Sequence, residues 1–498
     1  MKKNVFKLIG IAAIVFTLQS CNDEFLEEGP SAFITADQLA DAVAVNPDIA
    51  AGTVDGLYVT MFTSGTGGTG GHDDFGQKAY DVFTDMLCSD MALSNSSFGW
   101  YRSSITEYQA TQDFTFTDNR QAWFYYYQLI FNANLALDNF GGQDGDPENV
   151  ENRYALGQVL ASRAHSYFML TQLFANDYDP SAAILPLYTF ANPLGQGKSL
   201  TSEIYESMEN SLNRAIELLE GYNRPSKAQI NQSVAKGILA HVIASTRSRW
   251  DEVAQLSDDV LTESGTVLMP SDNSTFGALG GFNNVGNPSW LWGVDLNGDT
   301  GVGLVSWWGQ VDFFSYSYAA VGDTKTMDVD LYESMRADDV RRQQFFNTPG
   351  LNYLQPLNKQ FDESRVEFGT NTTTFSDYHY MRYAEFILLK AEAMANMGQD
   401  GPARMALMEL VSERIGDPSY LNALSGQALK DEIYKQTRLE LWGEGRSYFA
   451  MKRNMATTQR GSNHLSFVGE PIAHNDERMT FEIPQLEIQN NGEINDQN

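Results

Sequence analysis

Two stretches of the chain gather flat aromatic side chains beside amides and charge. One is Asn95-Ser96-Ser97-Phe98-Gly99-Trp100-Tyr101-Arg102. The other is Trp307-Trp308-Gly309-Gln310, with Tyr316 beyond it. Sugar rings present C–H faces that lie well on flat aromatics, while their hydroxyls need amide and charged partners. Asn95, Trp100, Tyr101, Arg102, Trp307, Trp308 and Tyr316 are therefore the expected ligand-binding residues. A third stretch, Thr63-Ser64-Gly65-Thr66-Gly67-Gly68-Thr69-Gly70-Gly71-His72-Asp73-Asp74, is dense in glycine and reads as a loop. No Gly-Lys-Ser/Thr follows, so it is not a phosphate loop. A loop of this kind can border a binding site, and Asp74 joins the expected set. The competing role for any of these aromatics is core packing. Trp290 and Trp292, in the strand-like run Pro288-Ser289-Trp290-Leu291-Trp292-Gly293-Val294, lean that way.

Signatures of catalysis are thin. The chain has no His-Glu-x-x-His, no Gly-x-Ser-x-Gly and no protein-kinase motif set. Its six histidines are scattered, and no CxxC suggests a structural zinc. No metal or cofactor is expected. Asp295-Leu296-Asn297-Gly298-Asp299-Thr300-Gly301 has the alternation of a calcium loop, but its glycine falls seventh rather than sixth. The twelfth position is Ser306 where glutamate is wanted, so a turn between strands is the better reading. Glu385, Glu392, Glu440 and Glu444 could supply a glycosidase acid and base. They stand on helices beside arginines, however, and partly buried Arg–Glu networks joining helices are preferred. His165 and His241, on helix stripes, read as packed.

The elements that would position these residues are mostly helices. Of 498 residues, 42% are hydrophobic and 12% aromatic, which describes a globular chain with a sizeable core. Helical spacing runs over 119–140, 156–174, 204–219 and 234–245, and again over 249–264. Thr201 and Asn231 are expected N-caps and Gly221 a C-terminal stop. Helices return at Tyr378, with Pro402 in the first turn of the next one, and 424–453 is a long helix or a pair. Paired helices whose second members are rich in alanine permit close contact, as in tetratricopeptide-type stacks, although no strict 34-residue identity is present. Between about 265 and 375 the helical period disappears and Gly, Asn, Asp, Ser and aromatics take over. The expected fold is mainly α: a tetratricopeptide-like helix-pair scaffold (about 35–264 and 376–454) with an irregular, loop-rich insert carrying short strands (about 265–375).

The first 20 residues carry Lys2, Lys3 and Lys7, an apolar run from 8 to 18, and Leu18-Gln19-Ser20-Cys21. This is the pattern of a secretory signal peptide ending in a bacterial lipobox, with Cys21 the lipidated first residue and 21–34 a tether. The apolar run is short for a membrane span. Lipidation would leave Cys88 without a partner for a disulfide, and burial is its expected state. The formal charge is −31, and about −34 once the three lysines of the leader are removed. Such a surface repels phosphate backbones, so nucleic acid is excluded as a partner, and attachment to a membrane falls to the lipid.

Several motifs then fall into a known order. They are Cys21-Asn22-Asp23-Glu24-Phe25-Leu26-Glu27, Arg163-Ala164-His165-Ser166-Tyr167-Phe168-Met169-Leu170 and the stretch from Met381-Arg382-Tyr383-Ala384-Glu385 to Ala391-Glu392-Ala393. Arg438-Leu439-Glu440-Leu441-Trp442-Gly443-Glu444-Gly445 and Ile483-Pro484-Gln485 with Glu487-Ile488 complete the set. In these the chain resembles the SusD/RagB family of outer-membrane nutrient-binding lipoproteins of Bacteroidetes-type bacteria. It departs where Ser447 and Ala450 stand in place of the family's arginine and aspartate, which puts a local ion-pair pattern in doubt. The resemblance implies a single domain over 35–498 without catalysis, and ligand sites built from loops on one face of the scaffold. One contribution would come before the first helix stack and one from the insert. It also implies a glycan or other nutrient ligand, and a TonB-dependent SusC-like transporter as partner, over which the protein sits as a lid at the outer membrane, facing the exterior. The acidic residues after Cys21 are similar to signals that send such lipoproteins to the outer face. The alternatives are a surface glycoside hydrolase and a helical-repeat adhesion protein.

Overall fold

A helix with one apolar stripe needs a neighbour to cover it, and in this chain the neighbour is usually the next helix in sequence. The computed structural model describes residues 48–498, apart from 193, 273, 363, 364 and 366–371. The expected leader, Cys21 and the tether lie outside the described residues. Helices α1 (Asp48–Thr60) and α2 (Gln77–Leu87) come first, followed by α3 (Thr117–Asp138), α4 (Val150–Phe174), α5 (Thr201–Leu218), α6 (Gln232–Ser245) and α7 (Trp250–Glu263). From α3 to α7 each helix packs on the one after it. The stripe Ile204, Met208, Leu212 and Ala215 of α5 is buried, as are Val234, Ile238 and Val242 of α6. Asn231 caps α6 as expected, accepting from Val234 N at 3.1 Å. Thr201 does not cap α5. It is the first helical residue, and its hydroxyl donates to Ala182 O at 3.0 Å, while Glu203 accepts the Leu200 amide at 2.9 Å.

The insert contains a short helix, α8 (Trp307–Val311). Helices α9 (Tyr383–Asn396), α10 (Asp400–Val411), α11 (Gly426–Glu440) and α12 (Arg446–Arg453) then resume the stack. α7 packs on α9 and α9 on both α10 and α11, so the helical layer continues across the insert as if it were absent. The architecture is that of a helix-pair scaffold of tetratricopeptide type. Gly237 of α6 shows how closely the two halves meet: a Cβ there would come 2.6 Å from Phe386 Cζ of α9. Among the described residues no helix is long and apolar enough to cross a membrane.

Four short strands matter for position: β1 (Met91–Leu93), β2 (Trp290–Val294), β3 (Lys325–Met327) and β4 (Tyr378–Arg382). Residues 378–382 were expected to open a helix. They instead pair antiparallel with β2, burying Trp290 and Trp292, and α9 starts only at Tyr383. The pairing of β1 with β3 is antiparallel, with Leu93 opposite Lys325. That register has a geometric consequence. The residues that follow Leu93 and those that precede Lys325 leave the ladder at the same end, so the two aromatic stretches separated by about two hundred positions become neighbours.

The glutamates of the motif helices are buried in ion pairs. Glu385 meets Arg446 at 2.7 Å and Glu392 meets Arg453 at 2.8 Å, while Glu440 and Glu444 share Arg382. Cys88 is a buried free thiol. Asp295 to Thr300 is a turn following β2, closed by Asn297 N donating to Thr300 Oγ1 at 2.9 Å.

Candidate functional site

The site grows out of the end of the β1–β3 ladder. Just before β3, Asp323 is fully buried, and its carboxylate collects four consecutive amides of the other stretch. Oδ1 accepts from Ser97 N at 2.6 Å, Phe98 N at 2.7 Å and Gly99 N at 3.4 Å, and Oδ2 from Trp100 N at 3.1 Å. Ser97 N also reaches Gly322 O at 3.1 Å. Gly322 is required here twice over: its φ is 116°, and a Cβ would fall 2.3 Å from Ser97 Oγ. One buried carboxylate thus shapes a whole loop, because backbone amides bonded to an ionised acceptor are held strongly.

The loop presents rings. Trp100 stacks flat on His72, with centroids 5.3 Å apart and planes 5° from parallel. Tyr318 leans on both at 5.7 Å, and its hydroxyl is bonded to His72 Nδ1 at 2.8 Å. Phe98, 60% exposed, meets Tyr318 edge-on at 5.2 Å. His72, Trp100 and Tyr318 are half-exposed, so the four rings form a surface platform. Three segments build it: the glycine-rich loop, the stretch after β1, and the insert. Gln310 of α8 joins them, donating to His72 O at 2.7 Å and accepting from Lys325 Nζ at 3.1 Å. Tyr318 N is fixed on Gly309 O at 2.8 Å.

Beneath the platform lies a charged, closed layer. Burial lowers the Lys325 ammonium to about 7, against the pull of Asp323 and Asp73, and its Nζ sits 5.0 Å over the Tyr101 ring. Burial pushes the Asp73 carboxyl well above the usual carboxylate range, with Asp118 adding to the rise. Tyr101 has φ 65°, a left-handed conformation rare for a bulky residue, and it opens a π-helical turn over Arg102–Thr106.

The expected ligand-binding residues divide cleanly. Asn95, Arg102 and Tyr316 are exposed and Trp100 is half-exposed. Asp74, Tyr101, Trp307 and Trp308 are corrections: none is more than 2% exposed, so none offers a face to a ligand. Each has a structural task instead. Asp74 closes the glycine-rich loop, accepting from Gly67 N at 2.8 Å, Thr69 N at 3.0 Å and Thr69 Oγ1 at 2.8 Å. Trp308 Nε1 donates to Ser376 O at 2.7 Å, and Trp307 N to Tyr378 Oη at 3.1 Å. His72, Phe98 and Tyr318 are the members that reading the sequence missed. His72 lay in the glycine-rich loop and Phe98 in the first aromatic stretch, but a histidine beside glycines and one tyrosine among several carry no local sign of pairing across about 250 positions.

Replacing Asp323 with alanine leaves four loop amides without their acceptor. Amide exchange over 97–100 is expected to accelerate at least tenfold, with a stability loss of about 1–3 kcal/mol. Hydrogen-exchange mass spectrometry of that peptide checks it, and unchanged protection would refute the role given to Asp323.

Comparison with known proteins agrees with this architecture. A family model described as "SusD family" matches residues 342–498, and one described as "Starch-binding associating with outer membrane" matches residues 67–243. A "SusD-like protein P2" from Formosa agariphila is 23% identical over 486 residues, covering 89% of this chain and 90% of its own. Among solved structures, a SusD-like carbohydrate binding protein from Bacteroides vulgatus superposes with a TM-score of 0.74 at 23% identity, over 89% of this chain and 96% of that one. Surface glycan-binding protein A from Bacteroides thetaiotaomicron, in complex with laminarihexaose, gives 0.67 at 14% identity, over 91% and 99%. With two family models matching separate halves, a relative aligned over nearly the whole length and a shared helix-pair fold, the chain belongs to the SusD/RagB family.

Proposed function

We propose that this protein is a carbohydrate-binding lipoprotein of the outer membrane that captures an oligo- or polysaccharide on the ring platform and delivers it to a TonB-dependent SusC-like transporter, over which it acts as a lid. The observation that carries the reading is the platform itself: half-exposed His72, Trp100 and Tyr318 with exposed Phe98, set in place by Asp323. Fixed rings suit sugar faces because their ordering cost is met before the ligand arrives. Exposed Asn95 and Arg102 stand on the same loop as hydroxyl partners, Arg102 tethered to Glu107 at 3.2 Å. Family membership and the laminarihexaose complex of the Bacteroides thetaiotaomicron relative support a glycan ligand. The capture needs no covalent step, and the motif glutamates that might have served a hydrolase are committed to arginines.

Trp100→Ala is expected to weaken glycan binding at least tenfold, about 1.4 kcal/mol or more, while leaving the melting temperature nearly unchanged. Calorimetric titration with neutral hexasaccharides, beginning with laminarihexaose, reads the first, and a thermal melt the second. Undiminished affinity in Trp100→Ala and Tyr318→Ala together would remove the platform from the binding site. Cys21→Ser is expected to leave the fold intact and to release the protein from the membrane fraction; continued surface attachment of that variant would overturn the anchor.

A further inference from the structure

A second concavity lies on α3. It has a volume of about 360 Å³ and is lined by Trp123, Phe124, Tyr127, Gln128, Tyr188 and Glu487, among others. Its size falls within the range of small-ligand pockets, about 300–1,000 Å³. The aromatic walls are fixed by their polar ends. Trp123 Nε1 donates to Glu487 Oε2 at 3.2 Å, Tyr127 Oη donates to Pro186 O at 2.9 Å, and Tyr188 Oη accepts from Gln196 N at 3.2 Å. The rings offer a guest apolar faces, and the Tyr188 hydroxyl, which only accepts here, keeps its proton to donate. Phe124, half of it exposed, extends that surface outward.

The Tyr188 hydroxyl proton and the Asn192 side-chain amide, both in the pocket lining, can meet the hydroxyls of a guest. Charge narrows the class further. Among the described residues no lysine or arginine lines the pocket, and both oxygens of Glu487 are already engaged, by Trp123 and by Asn491 Nδ2 at 2.7 Å. An anionic sugar would find no cation there and would enter a molecule of net charge −31. Fixed aromatic faces, a free hydroxyl proton and no cation together describe a site for an uncharged pyranose.

We infer that this pocket is a second carbohydrate subsite, taking a neutral sugar unit of an oligo- or polysaccharide independently of the platform. The choice of sugar as ligand class rests on the proposed function; the location rests on the pocket alone. Two subsites of modest affinity on one chain would raise the avidity for long polymers over short ones without any new contact.

The test uses the full chain with laminari-, malto-, cello-, xylo- and mannohexaose as neutral probes and hexagalacturonate as the anionic one. Stoichiometry and affinity are measured for the wild type, Trp100→Ala and the pair Phe124→Ala/Gln128→Ala, whose sites are surface-facing or half-buried and whose folding a thermal melt verifies. The expected result is two molecules of at least one neutral hexasaccharide per wild-type chain, and one per chain for Trp100→Ala. Tyr188→Phe alone should weaken the site that survives in Trp100→Ala by about tenfold. Loss of all binding in Trp100→Ala overturns the second subsite and leaves the platform standing. Loss in Phe124→Ala/Gln128→Ala with Trp100→Ala unaffected upholds the pocket and removes the platform. Binding of hexagalacturonate in preference to every neutral probe, or no binding of any neutral hexasaccharide, overturns the inference.

Discussion

Glu440→Ala is expected to lower the stability of the folded chain by about 3–5 kcal/mol, seen as a fall in melting temperature far outside that of any exposed ion-pair variant. Glu440 is 2% exposed and serves three arginines. Its Oε1 meets Arg382 Nη1 at 2.9 Å and Arg414 Nη2 at 3.0 Å, and its Oε2 meets Arg414 Nε at 2.9 Å and Arg341 Nη1 at 3.4 Å. Removing the carboxylate leaves three guanidinium groups in the interior with their main counter-charge gone. Glu444 and Asp339 still hold Arg382 and Arg341. Among the described residues Arg414 keeps only backbone carbonyls, of Met269 and Glu413, and is the most exposed to the loss.

The same change should reach the ring platform. Arg341 and Lys359 belong to the insert, and Lys359 donates to Glu440 O at 2.6 Å, so this network is where the insert is fastened to the helical scaffold. Faster exchange at 316–324 in Glu440→Ala is the expected sign. The pH dependence follows from the charge. Burial alone would raise the Glu440 carboxyl, but Arg414, Arg382 and Arg341 outweigh it and hold it well below the usual range. Its contribution is therefore fully present above the ordinary glutamate pKa and is lost as the pH falls through the folded-state value. The gap between wild type and Glu440→Ala narrows in acid. A variant such as Glu209→Ala, which breaks the half-exposed pair with Arg249, is the control and should cost no more than about 1 kcal/mol.

Trp307→Ala is the second large effect, about 3–5 kcal/mol of stability, and it separates packing from binding. Trp307 is 1% exposed, packs edge-on against Trp308 at 5.2 Å and lies under the Lys78 ammonium at 5.9 Å. Truncation opens a cavity inside the insert, beside α2. Glycan affinity of the still-folded protein at low temperature should persist, because Trp307 shows no face to solvent. Trp100→Ala should do the reverse. If Trp307→Ala abolished binding without a stability loss, the burial of this ring would have to be reconsidered. Chemical denaturation and titration on the two variants decide it.

The helical scaffold was legible in the sequence because it is local. Apolar spacing, the Asn231 cap and the alanine-rich second helices each act within a turn or two of chain, and the structure bears them out. The residues expected at the site were legible only as types. Tryptophan and tyrosine among glycines suit a core as well as a sugar, and no local signal separates Trp100 from Trp307. What separates them is the β1–β3 register and the reach of Asp323, contacts between positions more than 220 apart. His72 became part of the platform for the same reason. Local patterns in the chain carry the helix-pair scaffold, the aromatic insert, the paired motif glutamates and the family motifs. The tertiary structure alone decided which aromatics stand at the surface, because exposure is a property of the fold's long-range pairings and not of any residue's neighbours in the chain.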